Sequence, residues 1–447
     1  MPLPEASIQR VVRLVWPLER TEPGKRVAMS PDPANTEPRG PQERPEQGQP
    51  LLAGDREPAA RCLEHVRHLS LDIGPRGSTT AAEAAAAAYV WGVLDKLELS
   101  PRIQRFTSAA SQWRPFALAA TLALLAIAVY PLAGRATAIL ATLLAATALV
   151  SAYLELNFTT NPIRWLLPKR PSQNVWTVIP AAGTARRRLV LVGHLDTHRT
   201  PFVFRSPLHL RVFQVLVTAA FASMAALVLL YIAGSIIESD VIYLISLVLA
   251  AFLVLDLIMT VQPDTTPYTP GANDNASGTA LVLTLAERLK EKPLANTEVW
   301  AVNSGCEEVG CYGAAAFLRE HRKELNKAYF IVLDTVAGPG SGPCYITREG
   351  MTRPYRSDAG LVALADQIAA DRPELGAYSK AMTLGFTEGA IGIKNGLPSL
   401  TFVNLRPDGV LPYWHRPDDV FENVDADVLA RTQAFVWELL QRIDSRQ

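Results

Sequence analysis

Pro270-Gly271-Ala272-Asn273-Asp274-Asn275-Ala276-Ser277-Gly278 is a polar, glycine-bounded turn that opens into an amphipathic helix. Leu281, Leu285 and Leu289 recur on that helix at i, i+4 and i+8. Asp274 stands just ahead of the helix N-terminus, where backbone N–H groups favour an anion. Taken alone, the stretch reads equally well as an N-capping turn. The rest of the chain shifts that balance, because it supplies four more residues of metal-ligand type at strand ends and in a late loop.

Around this turn, short β-rich runs alternate with helical patterns. Strands are expected at 174–179, 188–192, 298–302, 329–333 and 399–403, and helices at 277–290, 312–324, 358–371 and 426–443. Upstream, Thr79 or Thr80 can cap an alanine-rich helix running to Leu97. The alternation predicts an α/β domain, its mainly parallel or mixed sheet covered by helices.

Four apolar runs interrupt it. Phe116–Ala133 and Ala136–Tyr153 are split by Gly134-Arg135, and Val212–Ala233 and Val241–Val261 by residues 234–240. At 1.5 Å per residue the first two reach about 27 Å, the lower edge for a hydrocarbon core of about 30 Å. They are expected to form two transmembrane hairpins. Asp256, in the last run, is expected to reach the interface rather than act inside the membrane. Each hairpin returns to its starting side, so the soluble parts share one face. Arg105, Arg114, Arg164, Lys169, Arg170, Arg205 and Arg211 flank the runs on that face, whereas the opposite turns carry Arg135, Glu238 and Asp240. The positive-inside rule then predicts a multi-pass protein of the cell membrane with its soluble domain in the cytoplasm.

The expected organisation is a disordered Pro-rich tail (1–57), a first part of the soluble domain (58–112), hairpin one (113–157), a second part (158–209), hairpin two (210–262) and a third part (263–447). Its stretch 30–50 has almost no large apolar residue to offset ordering entropy, the few apolar residues of 8–16 stand among arginines, and the tail has no apolar segment and cleavage site of a signal peptide. Lys+Arg and Asp+Glu are both 43, which argues against a nucleic-acid partner. Hydrophobic residues make up 49% of the chain, high for a wholly soluble protein. Cys62, Cys306, Cys311 and Cys344 lack zinc-finger or disulfide-scaffold spacing and read as reduced thiols.

Three candidate ligand positions follow strands directly. His194 follows one, Glu307 and Glu308 follow another, and Asp334 a third. Sites in open α/β sheets gather outside the carboxyl ends of the strands. The helix opening at Asp274 points at the same edge, and His415 comes from a late loop. Two imidazoles and three carboxylates suit zinc. Five ligands are too many for one tetrahedral ion and suit two ions with one bridging carboxylate. Of the adjacent glutamates, one ligates while its neighbour handles protons. His198 and His209 are not needed as ligands in this reading.

His194-Leu195-Asp196, the Gly271–Gly278 turn, Glu307-Glu308-Val309-Gly310, Asp334 and His415, in this order, resemble the M28 family of co-catalytic zinc peptidases. The resemblance covers roughly 59–112, 158–200 and 263–443, and leaves out the hairpins and the tail. It implies a three-layer α/β/α zinc-peptidase domain with a mixed sheet, here interrupted by the two inserted transmembrane hairpins, and two zinc ions per chain. It implies that Asp274 bridges the ions, that His194 and Asp334 complete one site, and that Glu308 and His415 complete the other. It further implies that Glu307 is the general base and that Asp196 orients the His194 imidazole.

Two features depart from the family pattern. Between His194 and Asp274 lie 79 residues, including a hairpin, and Glu388 stands where an aspartate is common. The expected function is a membrane-bound exopeptidase acting on peptides, an aminopeptidase first. A glutaminyl cyclase-like or carboxypeptidase member of the same fold is the alternative, and a non-catalytic membrane scaffold or receptor is the rival from another class. Arg348, Arg353 and Arg356 could bind a carboxylate but read better as a solvated basic loop.

Overall fold

The computed structural model describes residues 53–446 apart from Glu238. The expected disordered tail therefore lies outside the described residues as far as Leu52. Its last few positions need correction, because a helix, α1 (Ala53–Arg67), already begins at Ala53. Packing explains this. Cys62 and Val66 of that helix are fully buried in the core, and Arg61 pairs with Glu287 at 2.9 Å.

α2 (Ala81–Lys96) starts where Thr80 accepts a hydrogen bond from the Glu83 backbone N–H, while the Glu83 carboxylate accepts from Thr79 N–H at 2.8 Å. This is a reciprocal N-terminal arrangement of capping-box type. The sheet follows as β1 (Arg102–Ala109), β2 (Lys169–Ile179), β3 (Arg187–His194), β4 (Thr297–Ser304), β5 (Tyr329–Asp334), β6 (Cys344–Glu349), β7 (Tyr355–Arg356), β8 (Tyr378–Ala381) and β9 (Ser399–Val403). Strand order is β1-β2-β4-β3-β5-β9-β6-β7, with β8 beside β6. The centre, β4-β3-β5-β9, is parallel, and the flanks are mainly antiparallel. A mixed sheet was expected. The sequence reading overlooked β1, β6, β7 and β8, whose alternation is irregular or whose length is short.

The alternation of β3 shows why there are three layers. Leu189 and Leu191 enter one core with α1, α2 and the helices α7 (Gly278–Glu291), α9 (Ala359–Asp371) and α11 (Ala426–Ser445). Val190 and Val192 enter the other, with Phe317 of α8 (Tyr312–Glu320) and Ile391 of α10 (Glu388–Lys394). Both faces of the central strands are covered, as parallel strands require.

The apolar runs form four helices, α3 (Arg114–Val129), α4 (Arg135–Leu156), α5 (Pro207–Gly234) and α6 (Asp240–Val261). Three of these stretches are long and apolar enough to cross a membrane. α3 is not, and the count of four full spans is corrected to three. It has 16 residues, because Pro131 cannot continue a helix and the chain turns at Tyr130. α3 and α4 meet along an alanine seam, Ala119, Ala123 and Ala126 against Ala141, Ala145 and Ala148, where small side chains let backbones approach. Outward faces are apolar: Leu143, Val215, Leu229 and Val248 are between 60% and 69% exposed. Arg114 at the start of α3 pairs with Asp264, just past α6, at 2.7 Å, so the first and last helix ends lie together.

Candidate metal centre

Register brings three strand ends level. His194 of β3 pairs with Ser304 of β4, and Val192 pairs with Val332 of β5, two residues short of His194 and Asp334. After Ser304 the chain turns through Gly305 and Cys306 to Glu307 and Glu308. The Asp274 turn enters α7 from the same edge, with a cis peptide between Asp274 and Asn275. Gly278 is required here, because a Cβ would lie 2.0 Å from the Leu333 carbonyl oxygen.

All five sequence-predicted ligands converge. His194 Nε2 lies 3.4 Å from Asp274 Oδ1 and 3.7 Å from Asp334 Oδ1. His415 Nε2 lies 3.3 Å from both Asp274 Oδ2 and Glu308 Oε2. Asp274 thus faces both imidazoles, one with each oxygen. These separations are long for hydrogen bonds. Two ligands bound at about 2.0–2.2 Å to one tetrahedral ion would stand roughly 3.3–3.6 Å apart; the three contacts of 3.3–3.4 Å fall in that range and the 3.7 Å contact lies just beyond it.

The buried chemistry asks for cations as well. His194 Nε2, Asp274 Oδ2 and Glu308 Oε1 are buried without a hydrogen-bond partner. Asp274, Glu307, Glu308 and Asp334 are four buried carboxyl groups against two imidazoles, a charge balance that burial does not tolerate without positive ions. Burial pushes Glu307, Glu308 and Asp334 above the usual carboxyl range. Burial acts the same way on Asp274, but the two imidazoles facing it, His194 and His415, outweigh it and hold that group well below the range. His194, His415, Asp274, Glu308 and Asp334 therefore fit two divalent ions.

Several neighbours were not foreseen. Buried Arg76 donates to the carbonyls of Leu69, Gly74, Leu195, Pro270 and Gly271, tying β3 to the Asp274 turn. Asp419 accepts the backbone N–H groups of Asn273 and Asp274 at 2.7 and 3.0 Å. The Cys311 thiol donates to Glu307 Oε1 at 3.2 Å. His198, set aside on sequence, stacks on His415 with ring centroids 3.6 Å apart, and a ligand-type atom of His198 lies within 4.8 Å of those of Glu308 and His415. The HxD spacing with a second histidine two residues on was the one available signal for it.

Asp196 meets the His194 ring chiefly through its backbone. His194 Nδ1 is nearer its backbone carbonyl, at 3.1 Å, than its carboxylate, at 3.6 Å. That carboxylate instead accepts the backbone N–H groups of Glu307 and Glu308 at 3.0 and 3.1 Å and the Ser78 hydroxyl at 2.5 Å. It holds the turn carrying both glutamates. Glu388 is fully buried and bonded to the Ser304 hydroxyl. Arg348, Arg353 and Arg356 are exposed. All four cysteines are free and buried.

The stretch 258–440 matches the model of peptidase family M28. That stretch of the α/β domain, from the end of α6 into α11, is what resembles the family. Aminopeptidase YwaD of Bacillus subtilis (strain 168) is 29% identical over 179 residues, covering 38% of this chain, and the chain spans 37% of that relative's length. The crystal structure of BSAP, a zinc aminopeptidase from Bacillus subtilis, superposes with a TM-score of 0.51 at 15% identity over 86% of this chain and 95% of that one. Tannerella forsythia glutaminyl cyclase superposes with a TM-score of 0.52 at 15% identity over 87% and 99%. At these identities the likeness to the solved structures is one of fold.

Proposed function

We propose that this chain is a multi-pass membrane di-zinc aminopeptidase. The observation that carries the reading is one buried carboxylate, Asp274, shared between two ligand clusters beside a glutamate that neither cluster uses. His194 and Asp334 would hold one zinc, Glu308 and His415 the other, and Asp274 would bridge. Bound zinc would polarise the scissile carbonyl and render water nucleophilic at neutral pH.

Glu307 takes the proton from the attacking water. The water oxygen adds to the carbonyl carbon, the C–N bond breaks, and Glu307 returns the proton to the leaving amine. The Cys311 thiol and the Asp196-anchored turn fix where the Glu307 carboxylate points. Asp196 thus acts as a positioning residue through the backbone of Glu307 and Glu308.

The second reading, a glutaminyl cyclase, draws on Trp414, which packs against His415 with ring centroids 4.3 Å apart. It is disfavoured by the double ligand set. Purified full-length protein assayed on amino-acid amides and on a glutaminyl peptide, with and without chelator, tests both. Chelator-sensitive amide hydrolysis with two zincs per chain is expected. Cyclisation with one zinc would overturn the aminopeptidase assignment.

α4, α5 and α6 are assigned to the bilayer, and α3, about 24 Å long at 1.5 Å per residue, together with the turn after it to the outward leg of the first hairpin, so that β1 and β2, which pair in one sheet, stay on one side. The basic residues flanking these helices support a cytoplasmic M28 domain.

A further inference from the structure

The two histidines of the metal centre are held in different ways. His194 ends β3, and its Nδ1 meets the Asp196 backbone carbonyl at 3.1 Å. A ligating imidazole is ordinarily fixed by such a bond from its other ring nitrogen. His415 lacks one, because its Nδ1 is buried without a hydrogen-bond partner among the described residues. Its backbone also needs outside support. Tyr413 and His415 sit at φ 57° and 55°, a left-handed conformation that residues other than glycine seldom hold unaided.

Rings stand in for the missing bond. His198 stacks on His415 within 12° of parallel, with centroids 3.6 Å apart. Phe204 meets the same ring edge-on at 4.5 Å, and Trp414 closes a third side at 4.3 Å. His198 is itself fixed, with Nδ1 2.6 Å from the Arg199 carbonyl. The stack also decides what His198 does. An imidazole lone pair lies in its own ring plane, and an ion in the plane of His415 lies off the plane of a ring stacked on it. His198 is therefore a support for His415 and a poor third nitrogen for its ion.

Two of these rings belong to the segment that leads into the second inserted hairpin. Phe204 closes a short turn, Phe202–Phe204, just ahead of α5. Its carbonyl accepts a hydrogen bond from Arg416 Nε, next to His415, at 2.7 Å. Its ring shares an apolar cluster with Trp113 ahead of α3, Leu210 and Phe213 of α5, Met259 of α6 and Trp414. The inserted helices and His415 also face one cavity, whose lining includes Leu156 of α4, Met224 of α5 and Asp256 of α6. Asp256 is buried on α6 with Leu253 and Thr260, which corrects the expectation that it reaches the interface.

We propose that Phe204 and His198 are positioning residues for the zinc held by Glu308 and His415, and that through them the second inserted hairpin sets how tightly this zinc is bound. The zinc at His194 and Asp334, whose ligands end strands of the sheet, is held independently of the hairpin. The inference rests on the two-zinc reading above.

The test is a zinc competition titration of the full chain in lipid nanodiscs against a chromogenic chelator, which reads two affinities per chain without turnover. The zinc equivalent missing in His415→Ala identifies the site concerned. Phe204→Ala is expected to weaken that equivalent by about 10–100-fold and to leave the other within about twofold, as loss of a group that orients one ligand implies. Phe204→Tyr, which keeps the edge-on ring, should hold zinc as the parent does. His198→Ala should weaken the same equivalent, whereas His198→Phe, which stacks but offers no nitrogen, should retain it. Loss in His198→Phe would make His198 a ligand and overturn its positioning role. Phe213→Ala, on α5 and one ring removed from His415, should weaken that equivalent as well, and parent affinity there overturns the role of the hairpin. Should Phe204→Ala yield no folded protein, the His198 pair and Phe213→Ala decide. Parent affinities in both alanine variants, or both equivalents weakened alike, overturn the inference and leave the two-zinc reading standing. A single zinc per parent chain removes that reading and the inference with it.

Discussion

Single side chains at the metal centre separate chemistry from support. Glu307→Gln removes the proton acceptor but leaves the shape of the turn held by Asp196. Turnover should fall by about 10²–10⁴-fold with zinc content unchanged, checked by elemental analysis beside the amide assay. Asp274→Ala should instead lose both ions, since each ligand cluster loses a member, and two zincs bound as in the parent would refute the bridge. Arg76 offers a purely structural counterpart. Its guanidinium satisfies five carbonyls from three segments. Arg76→Ala would leave several buried acceptors unpaired, at about 1–3 kcal/mol each where water does not replace the donor. A large drop in thermal midpoint together with zinc loss is expected, because Pro270 and Gly271 head the Asp274 turn.

At the scale of elements, the centre depends on how closely α7 lies against β3 and β5. A Cβ on Gly193 would sit 2.8 Å from the Gly278 backbone, and one on Gly278 would sit 2.0 Å from the Leu333 carbonyl. Gly278→Ala must push α7 away from the strand that delivers Asp334. A loss of about 3 kcal/mol, at the upper end for overpacking, is expected with weakened zinc retention on dialysis. The packing of α1 on α2 yields a pH dependence. Burial, with smaller contributions from His68 and Arg61, pulls His65 down to about 4, and it contacts the Tyr89 hydroxyl at 2.7 Å. The unfolded chain takes up this proton near pH 6.5. Stability from the neutral, half-buried ring is therefore full above that pH and is lost as pH falls toward 4. His65→Gln should flatten the decline of the thermal midpoint across that window.

The whole molecule pairs an α/β domain with a layer of helices whose outer faces would be unfavourable in water. Contiguous exposed apolar surface on this scale marks a partner or a membrane. With seven basic residues flanking the helix ends on the domain's side and Arg135 alone opposite, a protease confined to the outside of intact cells should not cut within 270–447. Cleavage there would invert the topology, and release of the chain by an alkaline wash would remove the membrane assignment. Because Arg114 and Asp264 tie the first helix to the chain after the last, the helices and the metal centre are joined at one end.

The amino-acid sequence by itself determined the parts whose signals are local. Period-2 runs, the capping threonine at position 80, the leucines of α7 and the five separated ligand motifs each sit within a few residues, so the mixed sheet and the metal-ligand edge were legible. Helix ends were legible less well, since α3 stops at Tyr130 ahead of Pro131 where hydropathy alone runs on to Ala133. Only the tertiary structure decided contacts between residues far apart in the chain. Arg76 reaches Pro270 across 194 positions, His198 meets His415, and Asp256 turns from a supposed interface residue into part of the cavity wall. No periodicity encodes such meetings, because they depend on which face of each helix the fold turns inward. The Asp274 turn shows both halves of the answer. Its composition marks a cap, and only the convergence of β3, β5 and the His415 loop on one carboxylate shows what that cap can hold.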